Sequence, residues 1–210
     1  MAIGRVAHPT LEERRDVGRL ARKRVPRSSL EGWGPADDRP DPVGLLEAQN
    51  ETREPDLVPV RHGRMMVSPF TFYRGGAKIM AADLAQIPTA GLDVQLCGDA
   101  HASNFGGYAS PERTLLFDLN DFDETLPGPF EYDLARLAAS FVVASRDNGF
   151  DAQRSAEAAA ASVAGYRTAM AGFAAMRNLD VWYSRLDAQE VVATATANAS
   201  GYVLHYTGDR

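Results

Sequence analysis

The chain has 210 residues, 45% of them hydrophobic and 24% charged, which gives it enough apolar material for a packed core and excludes a disordered chain. No apolar run reaches the roughly 18 residues of a membrane span, and the charged N-terminus lacks the apolar stretch of a signal peptide, so no membrane association is expected and the expected compartment is cytoplasmic. A net charge of −6 argues against nucleic acid as a partner, one cysteine (Cys97) excludes an internal disulfide, and His8, His62, His101 and His205 are too scattered for zinc-type spacing.

In chain order, the first element is a basic helix. Between Leu11 and Arg27 lie Arg14, Arg15, Arg19, Arg22, Lys23, Arg24 and Arg27 against Glu12, Glu13 and Asp16; this run is either a solvated helix face or a contact for a phosphate-rich partner. From Gly32 to Pro59 the prolines at 35, 40, 42, 55 and 59 break up long elements and predict a segment that wraps the body. Met65 to Tyr73 reads as short strand material, Arg74 to Gln86 as a helix and Asp93 to Cys97 as a strand that stops at Gly98. Cys97 follows apolar residues and reads as a buried small hydrophobe. Asn104 to Tyr108 and Thr114 to Leu119 predict two strands joined through Ala109, Ser110, Pro111 and Glu112. Phe130, Leu134, Leu137 and Phe141 recur at helical spacing up to Gly149, and Asp151 caps a second helix with the stripe Val163, Tyr166, Met170 and Phe173. These elements predict an α+β fold, mainly helical with a short β-hairpin.

Chemistry-bearing residues gather on either side of the hairpin. The loop Gly98-Asp99-Ala100-His101-Ala102-Ser103-Asn104 precedes it, and Asp118-Leu119-Asn120-Asp121-Phe122-Asp123-Glu124 follows it. Four carboxylates within seven residues repel one another unless a cation neutralises them, and oxygen donors point to Mg2+ or Mn2+. The apolar residues interleaved with these acids (Leu115, Leu116, Phe117, Leu119 and Phe122) predict a buried hairpin end. An Asp, an Asn five residues later and an Asp after a two-strand hairpin is the order in which kinases place a base and two metal ligands.

In these residues the chain resembles the aminoglycoside-phosphotransferase-like branch of the protein-kinase superfamily, whose loop runs Gly-Asp-x-His-x-x-Asn. It is more closely similar to a bacterial family catalogued as domain of unknown function 2252. That resemblance rests on Val25-Pro26-Arg27-Ser28, Arg39-Pro40-Asp41-Pro42, the run Pro69 to Gly75, the loop Gly98 to Gly106 and Asn120 to Leu137, and covers roughly Arg19 to Asp187. It implies a kinase-like catalytic lobe in which Asp99 orients or deprotonates an acceptor hydroxyl, Asn104 binds metal, and either Asp121 or Asp118 is the second ligand. Asp121 is preferred because it stands where the strand pattern ends, and Asp123 is a third candidate. His101 reads either as the structural histidine of the loop, bonded to a backbone carbonyl or to an acid of the second cluster, or as a chemical participant. Asp133 either stabilises the N-terminus of its helix or braces the loop. Arg136 and Arg74 are candidate anion partners. Arg74 and Gly75, ahead of a predicted helix, could receive a phosphate; otherwise Arg74 pairs with the acids.

The resemblance also implies what is expected to be missing. No Gly-x-Gly-x-x-Gly occurs, and Lys78 is too close to Asp99 to belong to a complete small lobe. The expected organisation is a basic helix and wrapping segment over 1–60, a kinase-like catalytic half over 61–187 and an unassigned tail over 188–210, without a nucleotide-binding lobe. The expected function is a metal-dependent phosphotransferase of unknown small-molecule or protein acceptor, incomplete as this chain, that uses ATP only when the missing half is supplied. Apolar surface meant for that half is expected to be exposed and to favour self-association. Two alternatives use the same residues differently: a metal-dependent hydrolase that activates water, and a non-catalytic binding module that makes contact through the basic segment.

Overall fold

The computed structural model describes residues 9–198; His8, His205 and the end of the predicted tail lie outside the described residues. Helix α1 (Leu11–Arg24) starts at a capping box in which Thr10 and Glu13 satisfy each other's backbone amides, and it ends in Arg22, Lys23 and Arg24, which suit the negative end of a helix. The wrapping segment contains α2 (Pro42–Asn50), begun by Asp41, whose carboxylate accepts from the Gly44 amide. Arg39 ties this segment to the body through a two-pronged ion pair with Asp83, at 2.6 and 2.8 Å.

Met65 to Tyr73, expected as a strand, lie instead in a pair of short helices and the turn between them. The helices are α3 (Val58–Met65) and α4 (Pro69–Gly75). The reason is local: Ser68 and Thr71 make a reciprocal cap and Pro69 occupies the first helical position, where its missing N–H costs nothing. This start signal outweighs the β-propensity of the aromatic residues that follow. The helix expected over 74–86 is correspondingly shorter; α5 (Ala77–Leu84) begins after a joint at Gly76. Leu46 of α2, Met65 of α3 and Ile79 of α5 make a small apolar core.

Two antiparallel ribbons follow. Strand β1 (Asp93–Leu96) pairs with β4 (Leu126–Pro129), with Leu96 opposite Leu126. Strand β4 is not among the predicted elements; its prolines, Pro127 and Pro129, are tolerated because a two-stranded ribbon consists only of edges. The predicted hairpin is present as β2 (Phe105–Ala109) and β3 (Leu115–Leu119), with Phe105 opposite Leu119 and Gly106 opposite Asp118. The other edge of β3 accepts the chain again where the Phe117 amide donates to the Leu186 carbonyl at 3.0 Å.

Helix α6 (Phe130–Asp147) runs beneath the loop of residues 97–104 and packs on α7 (Ala152–Phe173). Gly149, at φ +81°, makes the turn between them, and Asp151 caps α7 through the Arg154 amide. The α7 stripe is only partly covered. It continues the face marked by fully buried Ser155, and Tyr166 stacks on Phe130 of α6 with ring centroids 6.3 Å apart, but Val163, Tyr166, Met170 and Phe173 all keep exposed surface. Beyond α7, α8 (Asn178–Trp182) and α9 (Ala188–Asn198) carry further exposed apolar groups, among them Leu179, Trp182 and Val192. No helix among the described residues is long and apolar enough to cross a membrane.

Candidate active site

The loop after β1 is fixed before any side chain in it acts. Gly98 takes φ +87°, and a Cβ placed there would collide with the Glu124 carbonyl oxygen, so the turn needs glycine on both counts. Asp133, in the first turn of α6, accepts from the Cys97 amide at 2.8 Å and the Gly98 amide at 3.1 Å. The bracing role is therefore the one that Asp133 fills. Two turns further along the same helix face, fully buried Ser140 accepts from the Ala102 amide at 3.0 Å.

Asp99, His101 and Asn104 are all buried. Arg136, only 3% exposed, forms an ion pair with Asp99 Oδ1 through Nε and gives Nη2 to the Tyr73 carbonyl at 2.9 Å. Its guanidinium also lies 4.5 Å from the Tyr73 ring centroid. Tyr73 in turn donates its hydroxyl to the Arg136 carbonyl at 2.7 Å, and burial pushes that phenol up to about 12. Asn104 donates through Nδ2 to the Asp99 carbonyl at 3.0 Å, and its own carbonyl accepts the Asn120 amide at 3.0 Å. This last contact folds the second cluster back over the first, because Asp121 is the next residue after Asn120.

His101 departs from expectation. It bonds neither a backbone carbonyl nor an acid of the second cluster: Nε2 lies 3.7 Å from Asp99 Oδ2, and buried Nδ1 has no hydrogen-bond partner. Phe70 meets the ring edge-on, with centroids 6.4 Å apart. Burial pulls the imidazole below its usual 6.5; Asp99 opposes this, while Arg136 and Arg74 reinforce it.

The acidic cluster is more open than its apolar neighbours suggested. Asp118, Phe122, Asp123 and Glu124 are exposed and Asp121 is half-buried, because only alternate hairpin residues face the body and the chain leaves the strand at Asn120. Asp118 stands opposite Gly106, and its Oδ1 accepts the neighbouring Leu119 amide; Asp121 Oδ1 accepts the Asp123 amide at 3.3 Å. Burial and then Asp99, Asp121 and Asp123 hold the Glu124 carboxyl above its usual value. Among the described residues no ion pair neutralises Asp118, Asp121, Asp123 or Glu124. No three His, Cys, Asp or Glu side chains among those residues are gathered closely enough to hold a metal by themselves.

Arg74 does not act as the partner of either acidic cluster. It is exposed and enters no ion pair among the described residues, while Arg136 takes the partnership with Asp99. Gly75 lies in the last turn of α4, pressed against the Met65 side chain, with its carbonyl accepting from Arg61 Nη2 at 2.7 Å. Cys97 is buried as expected, and burial followed by the Asp133 charge pushes its thiol up to about 12.

The family model described as "Uncharacterized protein conserved in bacteria (DUF2252)" matches residues 53–207, about three-quarters of the chain. The chain belongs to this family. Asp99, His101, Asn104, the second acidic cluster, Asp133 and Arg136 all lie within the match. The match also continues beyond Asp187 through most of the tail, so the tail is not foreign to the DUF2252 family, whereas Val25 to Ser28 and Arg39 to Pro42 precede the matched stretch. No curated protein and no solved structure matches the chain.

Proposed function

We propose that this DUF2252 chain carries the acceptor and metal side of a kinase-like, metal-dependent phosphotransferase. The observation that carries the proposal is the Asn120 to Asn104 backbone bond, which brings the start of the second acidic cluster against the loop of Asp99 and Asn104. In this reading Asp99 is the carboxylate that orients or deprotonates the acceptor hydroxyl. Arg136 holds Oδ1 and leaves Oδ2, beside His101, for the acceptor. Burial lowers the proton affinity of His101, so its imidazole stands beside Asp99 without adding positive charge to the loop.

Hard-cation chemistry suits the donors. Unpaired carboxylates crowd Glu124, and Mg2+ or Mn2+ in phosphoryl transfer needs one or two protein ligands, with waters and phosphate oxygens completing its shell. Asn104 and Asp121 are the assigned ligands. Asp118 stays the alternate, since it lies further back along the strand, paired opposite Gly106. A bound cation would neutralise phosphate charge, while ATP is the expected donor only with nucleotide-binding residues that this chain is not assigned.

The test is calorimetric titration of the whole chain with MgCl2, with and without ATP. Metal binding lost in Asp121→Asn and kept in Asp99→Asn and Asp118→Asn supports the assignment. Binding that is indifferent to Asp121 refutes it. Metal-dependent ester cleavage without nucleotide would replace phosphotransfer with hydrolysis.

A further inference from the structure

Between α5, the β1 and β4 ribbon and the first turns of α6 lies a cavity of about 250 Å3. Met80, Leu84, Leu96 and Leu126 make much of its wall, and Tyr132 and Arg136 supply its larger polar groups. Arg136 decides what the cavity can hold. Its Nε is taken by Asp99 and its Nη2 by the Tyr73 carbonyl, while Nη1 meets only the Met80 sulfur, at 3.6 Å. A thioether is a weak acceptor, so a guanidinium that is 3% exposed keeps donor capacity without an oxygen partner, beside a largely apolar space.

We propose that this cavity is a binding site for a small, neutral, mainly apolar molecule with one oxygen acceptor, a ketone or an amide in type, whose oxygen receives Arg136 Nη1. Size sets the first limit: a cavity of roughly 150 Å3 takes a benzene ring, so this one takes about ten non-hydrogen atoms. Charge sets the second. Asp99 already neutralises Arg136, so a carboxylate ligand would bring an uncompensated negative charge against apolar walls. A pure hydrocarbon would fill the space and leave Nη1 unmet. The site goes beyond the phosphotransferase reading and does not rest on it, since neither metal nor nucleotide takes part.

The experiment is a titration of the isotopically labelled whole chain, followed by amide chemical shifts, with acetophenone, ethylbenzene and benzoate as probes. Acetophenone is expected to bind with a dissociation constant roughly five- to tenfold lower than ethylbenzene, the worth of one hydrogen bond, and benzoate is expected to bind more weakly than either because its charge is uncompensated. Shifts are expected at residues around 80, 96 and 128, which line the cavity. Ala81→Phe, placed on an exposed lining position of α5, is expected to abolish binding while the circular dichroism spectrum stays unchanged. Leu126→Trp blocks the opposite wall and serves the same purpose if Ala81→Phe folds poorly. The site is refuted if acetophenone shows no saturable binding at millimolar concentration or binds both blocked variants undiminished. Equal binding of ethylbenzene, or tighter binding of benzoate, refutes the neutral oxygen acceptor.

Discussion

The loop of residues 97–104 and the acidic segment of residues 118–124 are adjacent in space and held in opposite ways. Helix α6 grips the loop at three points, with Asp133 on the Cys97 and Gly98 amides, Arg136 on Asp99 and Ser140 on the Ala102 amide. The acidic segment turns its carboxylates to amides one or two residues away, and its outside ties, the β2 ladder at Asp118 and Leu119 and the Asn120 amide, are made by backbone. A carboxylate that must present one oxygen in one direction needs a rigid support. Carboxylates that must close around a cation need freedom to move and no competing positive charge.

The largest test of this contrast removes the buried partner of Asp99. Arg136→Ala leaves that carboxylate uncompensated, and a loss of about 3–5 kcal/mol is expected by urea denaturation, enough to unfold a marginal domain. Gly98→Ala forces a side chain into a left-handed turn and onto the Glu124 carbonyl; about 3 kcal/mol is expected by the same measurement, and a neutral outcome would show that the loop can shift. Asp133→Ala strips the acceptor from two backbone amides and is expected to cost about 2 kcal/mol, with faster hydrogen exchange at Cys97 and Gly98.

His101 sharpens the comparison through pH. Its folded affinity for a proton is lowered, so its stability contribution is fully present above 6.5 and is lost as pH falls from there through the lowered folded value. The urea midpoint of the wild type should therefore drop across this window more steeply than that of His101→Gln; equal slopes would remove His101 as the cause. The smallest effect is expected in the acidic segment. Asp123→Asn should change stability by no more than about 0.5 kcal/mol without metal, in the stabilising direction, because it relieves the repulsion that raises Glu124. Glu124 should then titrate at lower pH, as followed by carboxyl NMR shifts. A clear loss of stability would show the segment to be built in, like the loop.

Much of the support was visible in the sequence only once its geometry was known. Asp133, Arg136 and Ser140 recur at three and four residues and so share one face of α6, a pattern available to inspection. What they grip was not available, because the amides of Cys97, Gly98 and Ala102 lie more than thirty residues earlier. The exposure of the acidic segment is hidden from the sequence for a related reason: apolar neighbours predict burial only where another element covers them, and the strand pattern does not say which face is covered.

The sequence by itself determined the long helices α6 and α7, the β2 and β3 hairpin, the glycine at the head of the loop and the family. All are set by interactions a few residues apart or by strings of residues long enough to be specific. Tertiary structure alone decided that β1 takes β4 as its partner, that Arg136 rather than Arg74 neutralises Asp99, that His101 Nδ1 is left without a partner, and that a cavity opens beside Arg136. Each of these depends on which distant segments come to lie together, and side-chain type and spacing carry no record of that until the chain has packed.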